Sequence, residues 1–106
     1  MQRFQDLMVW QRSHALVLEI YRLSKDFPEA ERFGVVSQLR RAAASVPTNI
    51  AEGSLAETEY LLLLSRDLAY LPADVAARLN SEVTEIARML HALRSKVEGQ
   101  SNSDQP

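Results

Sequence analysis

The sequence predicts an all-α protein, an up-down-up-down antiparallel four-helix bundle, and three observations carry that expectation. Only 3 glycines and 4 prolines are spread over 106 residues, too few to turn the strands of a sheet. Apolar residues recur at helical spacing through four segments. Proline or glycine falls between those segments, at Pro28, Gly53 and Pro72. Hydrophobic residues at 46% and charged residues at 25% are a globular composition. A chain of this length makes one domain that buries about 60 to 65% of its unfolded surface. That domain is expected over residues 1–98, with 99–106 a disordered tail too polar to offset the entropy of its own ordering.

The first helix is expected from near Asp6 to near Asp26, ahead of the Phe27-Pro28 pair that discourages continuation. Leu7, Trp10, Val17 and Tyr21 share one stripe, with Leu16, Ile20, Leu23 and Phe27 beside it, an arc wide enough to touch two neighbouring helices. His14 falls within the first stripe, where a half-buried histidine with a local partner is the expected reading, ahead of a ligand or catalytic role.

Pro28-Glu29-Ala30-Glu31 is expected to open the second helix, the proline supplying φ and the carboxylates favouring the positive end. Its apolar row runs Val35, Leu39, Ala42, Val46, Ile50, and its middle, Ala42 to Ser45, is small enough for another helix to approach closely. Gln38, Arg41, Ser45, Asn49 and Glu52 form a second, polar row. Ser and Asn are poor helix formers, so solvent exposure alone does not account for that row. Pro47 removes a backbone donor and crowds the carbonyl of Ala43, so a kinked continuous helix is expected, ahead of one that ends and restarts; Gly53 is its expected stop.

Ser54-Leu-Ala-Glu57 reads as a capping box that starts the third helix. Leu55, Thr58, Leu62 and Ser65 lie on one row, and Leu61, Leu64, Leu68 and Leu71 on another. The helix is short for its bundle, about 17 residues or roughly 26 Å against about 30 Å or more for its neighbours. Pro72-Ala73-Asp74 begins the fourth, expected to reach about Glu98. Its seam, Leu79, Val83, Ile86, Leu90, Leu93 and Val97, has the heptad rhythm of a bundle helix.

Several function classes are hard to build from these residues. With no cysteine, disulfides, thiol catalysis and thiolate metal sites are excluded. His14 and His91 are far apart, and no Gly-rich phosphate loop or His-x-x-x-His pair occurs, so no catalytic, cofactor-binding or metal-binding residue is assigned and an enzyme is not expected. Glu52, Glu57 and Glu59 read as partners of helix ends or as surface charge. There is no signal-peptide pattern and no apolar run long enough to span a bilayer, so a cytoplasmic protein without a membrane partner is expected. The net charge of −2 leaves no global cationic field, and any contact with nucleic acid would be local. Arg40 and Arg41 are the candidates, because guanidinium forks bind phosphates at two points. The row through Arg41 serves equally for hydrogen bonds between helices or for a subunit interface, and the three readings stand together.

Three strings, Phe4 to Gln11, Ser37 to Ala43 and Ser45-Val-Pro-Thr-Asn-Ile-Ala-Glu-Gly53, resemble the small bacterial four-helix-bundle proteins known as 23S rRNA intervening sequence proteins. The resemblance covers Phe4 to about Val97. It implies assembly as a homopentamer, no established enzymatic activity, and kinship with the accessory variability determinant of diversity-generating retroelements, which partners a reverse transcriptase and binds nucleic acid. If copies placed Arg40 around a common axis, modest basicity per chain would become a ring of charge. In the family, a polar loop and the first half of helix three separate Ala-Glu-Gly from the Ser-Leu-x-Glu string. Here Ser54 follows Gly53 directly, so roughly 15 to 20 residues are either deleted or missing at that junction, in keeping with the short helix. The functional expectation is a non-enzymatic, self-assembling scaffold or adaptor, with a nucleic-acid-binding accessory protein acting through a local basic patch as the alternative.

Overall fold

A computed structural model describes residues 7–49 and 52–103, with side chains described over 7–47 and 53–95. Four α-helices follow in order: α1 (Met8–Ser24), α2 (Val35–Asn49), α3 (Glu52–Asp67) and α4 (Ala73–Ser103), with a short 3-10 turn at Glu29–Glu31 between the first two. Each helix packs against two others, α1 on α2 and α4, α3 on α2 and α4. The diagonal partners α1 and α3 therefore face each other only across the core. Arg12 of α1 meets Glu82 of α4, whereas Glu19, further along α1, meets Arg78, earlier in α4. That crossing of the order makes the two helices antiparallel. The molecule is a rod of 58 × 22 × 20 Å.

The core follows the heptad stripe. On α1 it is Val9, Ser13, Leu16, Ile20 and Ser24, all buried. Leu39, Ala42, Ala43 and Val46 supply α2, Leu55, Thr58, Leu61, Leu62 and Ser65 supply α3, and Leu79, Val83, Ile86 and Leu90 supply α4. Ala42 and Ala43 are wholly buried, so the small waist of α2 lies in the core. Burial of these twelve Leu, Ile and Val side chains, each contributing about 1.5 to 3 kcal/mol, is the main favourable contribution. Three core hydroxyls are satisfied inside their own helices: Ser13 Oγ donates to Val9 O, Thr58 Oγ1 to Ser54 O and Ser65 Oγ to Leu61 O, each at 2.7 Å.

Several expectations shift. The helix does not open at Pro28: Glu29–Glu31 form only a 3-10 turn, and α2 starts at Val35. A Cβ at Gly34 would stand 2.9 Å from Glu31 Oε1, the free end of a flexible side chain. Pro47 does lie inside α2, whose described residues run to Asn49. Ile50 and Ala51 lie outside the described residues. Glu52 already belongs to α3, so Gly53 is not a stop but part of the first turn of the next helix. Gly53 and Ser54 are thus consecutive residues of one helix, without the interruption expected there.

The capping box is not formed as expected. Ser54 sits inside the helix, its carbonyl accepting from Thr58, while Glu57 turns sideways to Arg41 on α2. Nor is α3 the short member. With 16 residues it matches α1 at 17 and α2 at 15, and the outlier is α4 at 31, which continues through Gly99 to Ser103. Val97 and the tail beyond Ser103 lie outside the described side chains and residues.

Candidate functional site

Arg40 and Arg41 are adjacent on α2, so their side chains leave the helix about 100° apart. Each goes to a different neighbour. Arg40 turns toward α1, where Nε donates to Ser24 Oγ at 2.8 Å and a terminal nitrogen donates to the Tyr21 carbonyl at 3.2 Å. Its guanidinium also lies over the Tyr21 ring, 4.7 Å from the centroid. Ser24 is buried and donates to the same Tyr21 carbonyl, at 3.3 Å. Arg41 turns the other way and pairs with the Glu57 carboxylate of α3. The two arginines thus clamp α2 to both neighbours.

Their electrostatic settings differ. Arg41 has its counter-charge. Among the described residues Arg40 has none: its partners are a hydroxyl, a carbonyl and a ring. A guanidinium that stays charged, is half-buried and is held by three contacts is preorganised to receive an anion or a partner's carboxylate. It borders a depression of about 380 Å³ lined by Tyr21, Arg32, Phe33, Val36, Ser37, Arg40 and Arg41. Phe33 is 88% exposed, and Arg32 lies over its ring at 5.5 Å. Arg32 also approaches Glu29 at 3.7 Å, both side chains well exposed. Two aromatic faces and three guanidiniums therefore share one patch of surface.

The remaining expected positions are less united. In the polar row, Gln38 and Arg41 are exposed and Ser45 is half-exposed, its hydroxyl donating to the Arg41 carbonyl at 2.8 Å. Asn49 ends α2 and Glu52 starts α3. The row is split between two helices, and neither of those two side chains lies in the described set. His14 is exposed and stacks on Trp10, ring centroids 5.0 Å apart at 13°. It has the expected local partner but sits outside the core. Among the described residues no group of three or more His, Cys, Asp or Glu could hold a metal ion. Ser24, Phe33 and Glu57 were not singled out as partners of the arginines. Phe33 gave no periodic signal because it lies in the link before α2, and Tyr21 was counted in a buried stripe from which the structure turns it outward.

The family model described as 23S rRNA-intervening sequence protein matches residues 5–55. Over that stretch, just under half of its length, the chain is similar to this family. The matched stretch holds α1, α2 and the first turn of α3, and with them both arginines and the aromatic patch. The 23S rRNA-intervening sequence proteins are a family of unknown function and not a known enzyme family. No curated protein matches the chain. No helix among the described residues is long and apolar enough to cross a membrane.

Proposed function

We propose that the protein is a non-enzymatic, self-assembling helical-bundle scaffold or adaptor of the cytoplasm. The observation that carries this reading is Phe33, 88% exposed, beside Tyr21 and Val36 in the depression at the α1/α2 edge. Scattered apolar side chains on a surface are ordinary, but an almost fully exposed phenylalanine next to a second aromatic and ordered guanidiniums is the composition of an interface centre. Covering it with another copy removes apolar surface from water, and family resemblance suggests five copies. Multi-angle light scattering at micromolar concentration tests this. A mass several times that of one chain is expected, and a monomer refutes it.

A second reading has its own support in Arg40, whose charge no carboxylate answers among the described residues and whose guanidinium stacks on Tyr21. Guanidiniums interleaved with aromatic faces suit phosphates and unstacked bases, so the patch could serve a nucleic-acid-binding accessory role. A fluorescence titration with structured RNA and with duplex DNA at low salt would then show binding that weakens steeply as salt rises. No binding, or binding unchanged by Arg40→Ala and Arg41→Ala, removes this reading.

A further inference from the structure

We infer that the corner between the end of α1 and the 3-10 turn is an anion site suited to a phosphate monoester, carried by a free nucleotide or by the end of a nucleic-acid strand. Arg32 and Arg40 border two hollows. One is the aromatic depression described above. The other, of about 170 Å³, has Ser24, Lys25, Glu29, Arg32 and Arg40 in its lining, and leaves room for a phosphoryl group with several waters. Arg32, Val36 and Arg40 belong to both hollows, so the two adjoin.

Three cations and one carboxylate line the smaller pocket, which leaves two positive charges unanswered. Lys25 and Arg40 have no carboxylate partner among the described residues, Arg40 being held by Ser24, the Tyr21 carbonyl and the Tyr21 ring. Arg32 reaches Glu29 only at 3.7 Å, with both side chains well exposed, a contact worth little in water. Neither of the other two carboxylates in this segment joins them. Glu31 accepts a hydrogen bond from Tyr70 at 2.8 Å, and Asp26 is exposed outside the lining. A half-buried guanidinium is costly unless an anion or water answers its charge.

That balance selects the ligand. A phosphate monoester carries nearly two negative charges and three terminal oxygens at neutral pH, an oxygen for each cation, and guanidinium forks engage such oxygens in pairs. A phosphodiester inside a strand carries a single charge and matches the pocket less well, as does a carboxylate. On its Arg40 side the pocket adjoins Tyr21 and Phe33, where the base of a nucleotide meets aromatic neighbours. The site stands apart from both readings above, since a monomer that ignores duplex DNA can still hold a mononucleotide in it.

Isothermal titration calorimetry of the full chain with adenosine monophosphate, adenosine and inorganic phosphate tests the inference. The nucleotide should bind, phosphate should bind more weakly, and adenosine should not bind. Lys25→Ala and Arg40→Ala should each weaken the nucleotide at least about tenfold, the loss of one charge-assisted hydrogen bond. Glu29→Gln should tighten it roughly two- to fivefold by releasing Arg32, a gain that a damaged fold does not imitate. Circular dichroism checks the helices of Arg40→Ala, and Lys25→Ala, at an exposed position, carries the test if they are lost. A short RNA with a 5′ phosphate identifies the source: binding tighter than the mononucleotide assigns the site to a strand end, weaker binding to the free nucleotide. Adenosine binding as tightly as its monophosphate, or nucleotide binding that ignores Lys25→Ala and Glu29→Gln, overturns the site. So does RNA that binds equally with and without its 5′ phosphate while the mononucleotide does not bind, a result that leaves the nucleic-acid reading standing.

Discussion

Ala69→Gly should stabilise the bundle. Ala69 is the one non-glycine residue with positive φ among the described residues, at 64°, directly after the C-terminus of α3. There the Tyr70 amide donates to Ser65 O at 2.8 Å and the Ala69 amide to Arg66 O at 2.9 Å. This is the pair of bonds of a Schellman motif, whose left-handed position favours glycine. An L-residue in that conformation costs about 1 to 2 kcal/mol through its Cβ. Glycine returns about 0.4 to 1 kcal/mol of this through the larger freedom of its unfolded chain. The net gain is on the order of 0.5 to 1 kcal/mol, a rise of a few degrees in Tm for a domain of this size. Thermal unfolding followed by circular dichroism measures it. An unchanged or lower Tm would show that the Cβ is not what strains this turn. Ala69→Val should move Tm the other way, since branching at Cβ worsens the same clash.

Three further outcomes follow from the packing and the charges. Leu62→Ala, at a side chain with no exposure, should cost about 2 to 5 kcal/mol in urea unfolding, while Leu68→Ala, 44% exposed, should stay within about 1 kcal/mol. Tyr70 donates to Glu31 Oε2 at 2.8 Å, tying the α1–α2 link to the end of α3, and a Cβ at Gly34 would press on the other oxygen of that carboxylate. Gly34→Ala should therefore be less favourable in the parent than in a Tyr70→Phe background, and equal effects in a double-mutant cycle would separate the two contacts. The hydrogen bond from Arg78 holds the Glu19 carboxyl below its ordinary 4.5, and the bond from Arg88 does the same for Glu85. Both folded-state values are lowered, so their contribution is fully present above the unfolded value and is lost as pH falls through the folded one. The urea midpoint should be flat above about pH 5 and fall below it, and Glu19→Gln should flatten part of that acid limb.

What was legible in the sequence was whatever periodicity and proline encode. The α4 seam from Leu79 to Leu90 is buried as its spacing predicts, and α4 starts at Ala73, directly after the Pro72 expected to begin it. The row Leu55, Thr58, Leu62, Ser65 is buried as a unit despite its two hydroxyls. The junctions were not legible, because they depend on which neighbour wins a group. Gly53 looks like a stop from α2, yet a residue without a Cβ serves as well in the first turn of α3, where it lies. Glu57 looks like a capping carboxylate, but Arg41 claims it across the α2–α3 groove. For the candidate site, the basic pair was visible as residues. That Arg40 would lie on Tyr21 and that Phe33 would stand out in solvent are facts of tertiary placement that no local pattern carries.

The core hydroxyls have a consequence for how the helices keep their alignment. Since Ser13, Thr58 and Ser65 each bond a carbonyl one turn back in their own helix, none hooks onto a neighbour, and the interior between them is smooth. Which turn of α1 lies beside which turn of α4 is then fixed at the rim, by the two-point grip of Arg12 on Glu82, at 2.8 and 2.7 Å, and by Arg78 on Glu19. Such a pair of helices behaves like a rack held by two pins. High salt weakens the pins, while the buried side chains packed between the two helices still oppose a shift of register.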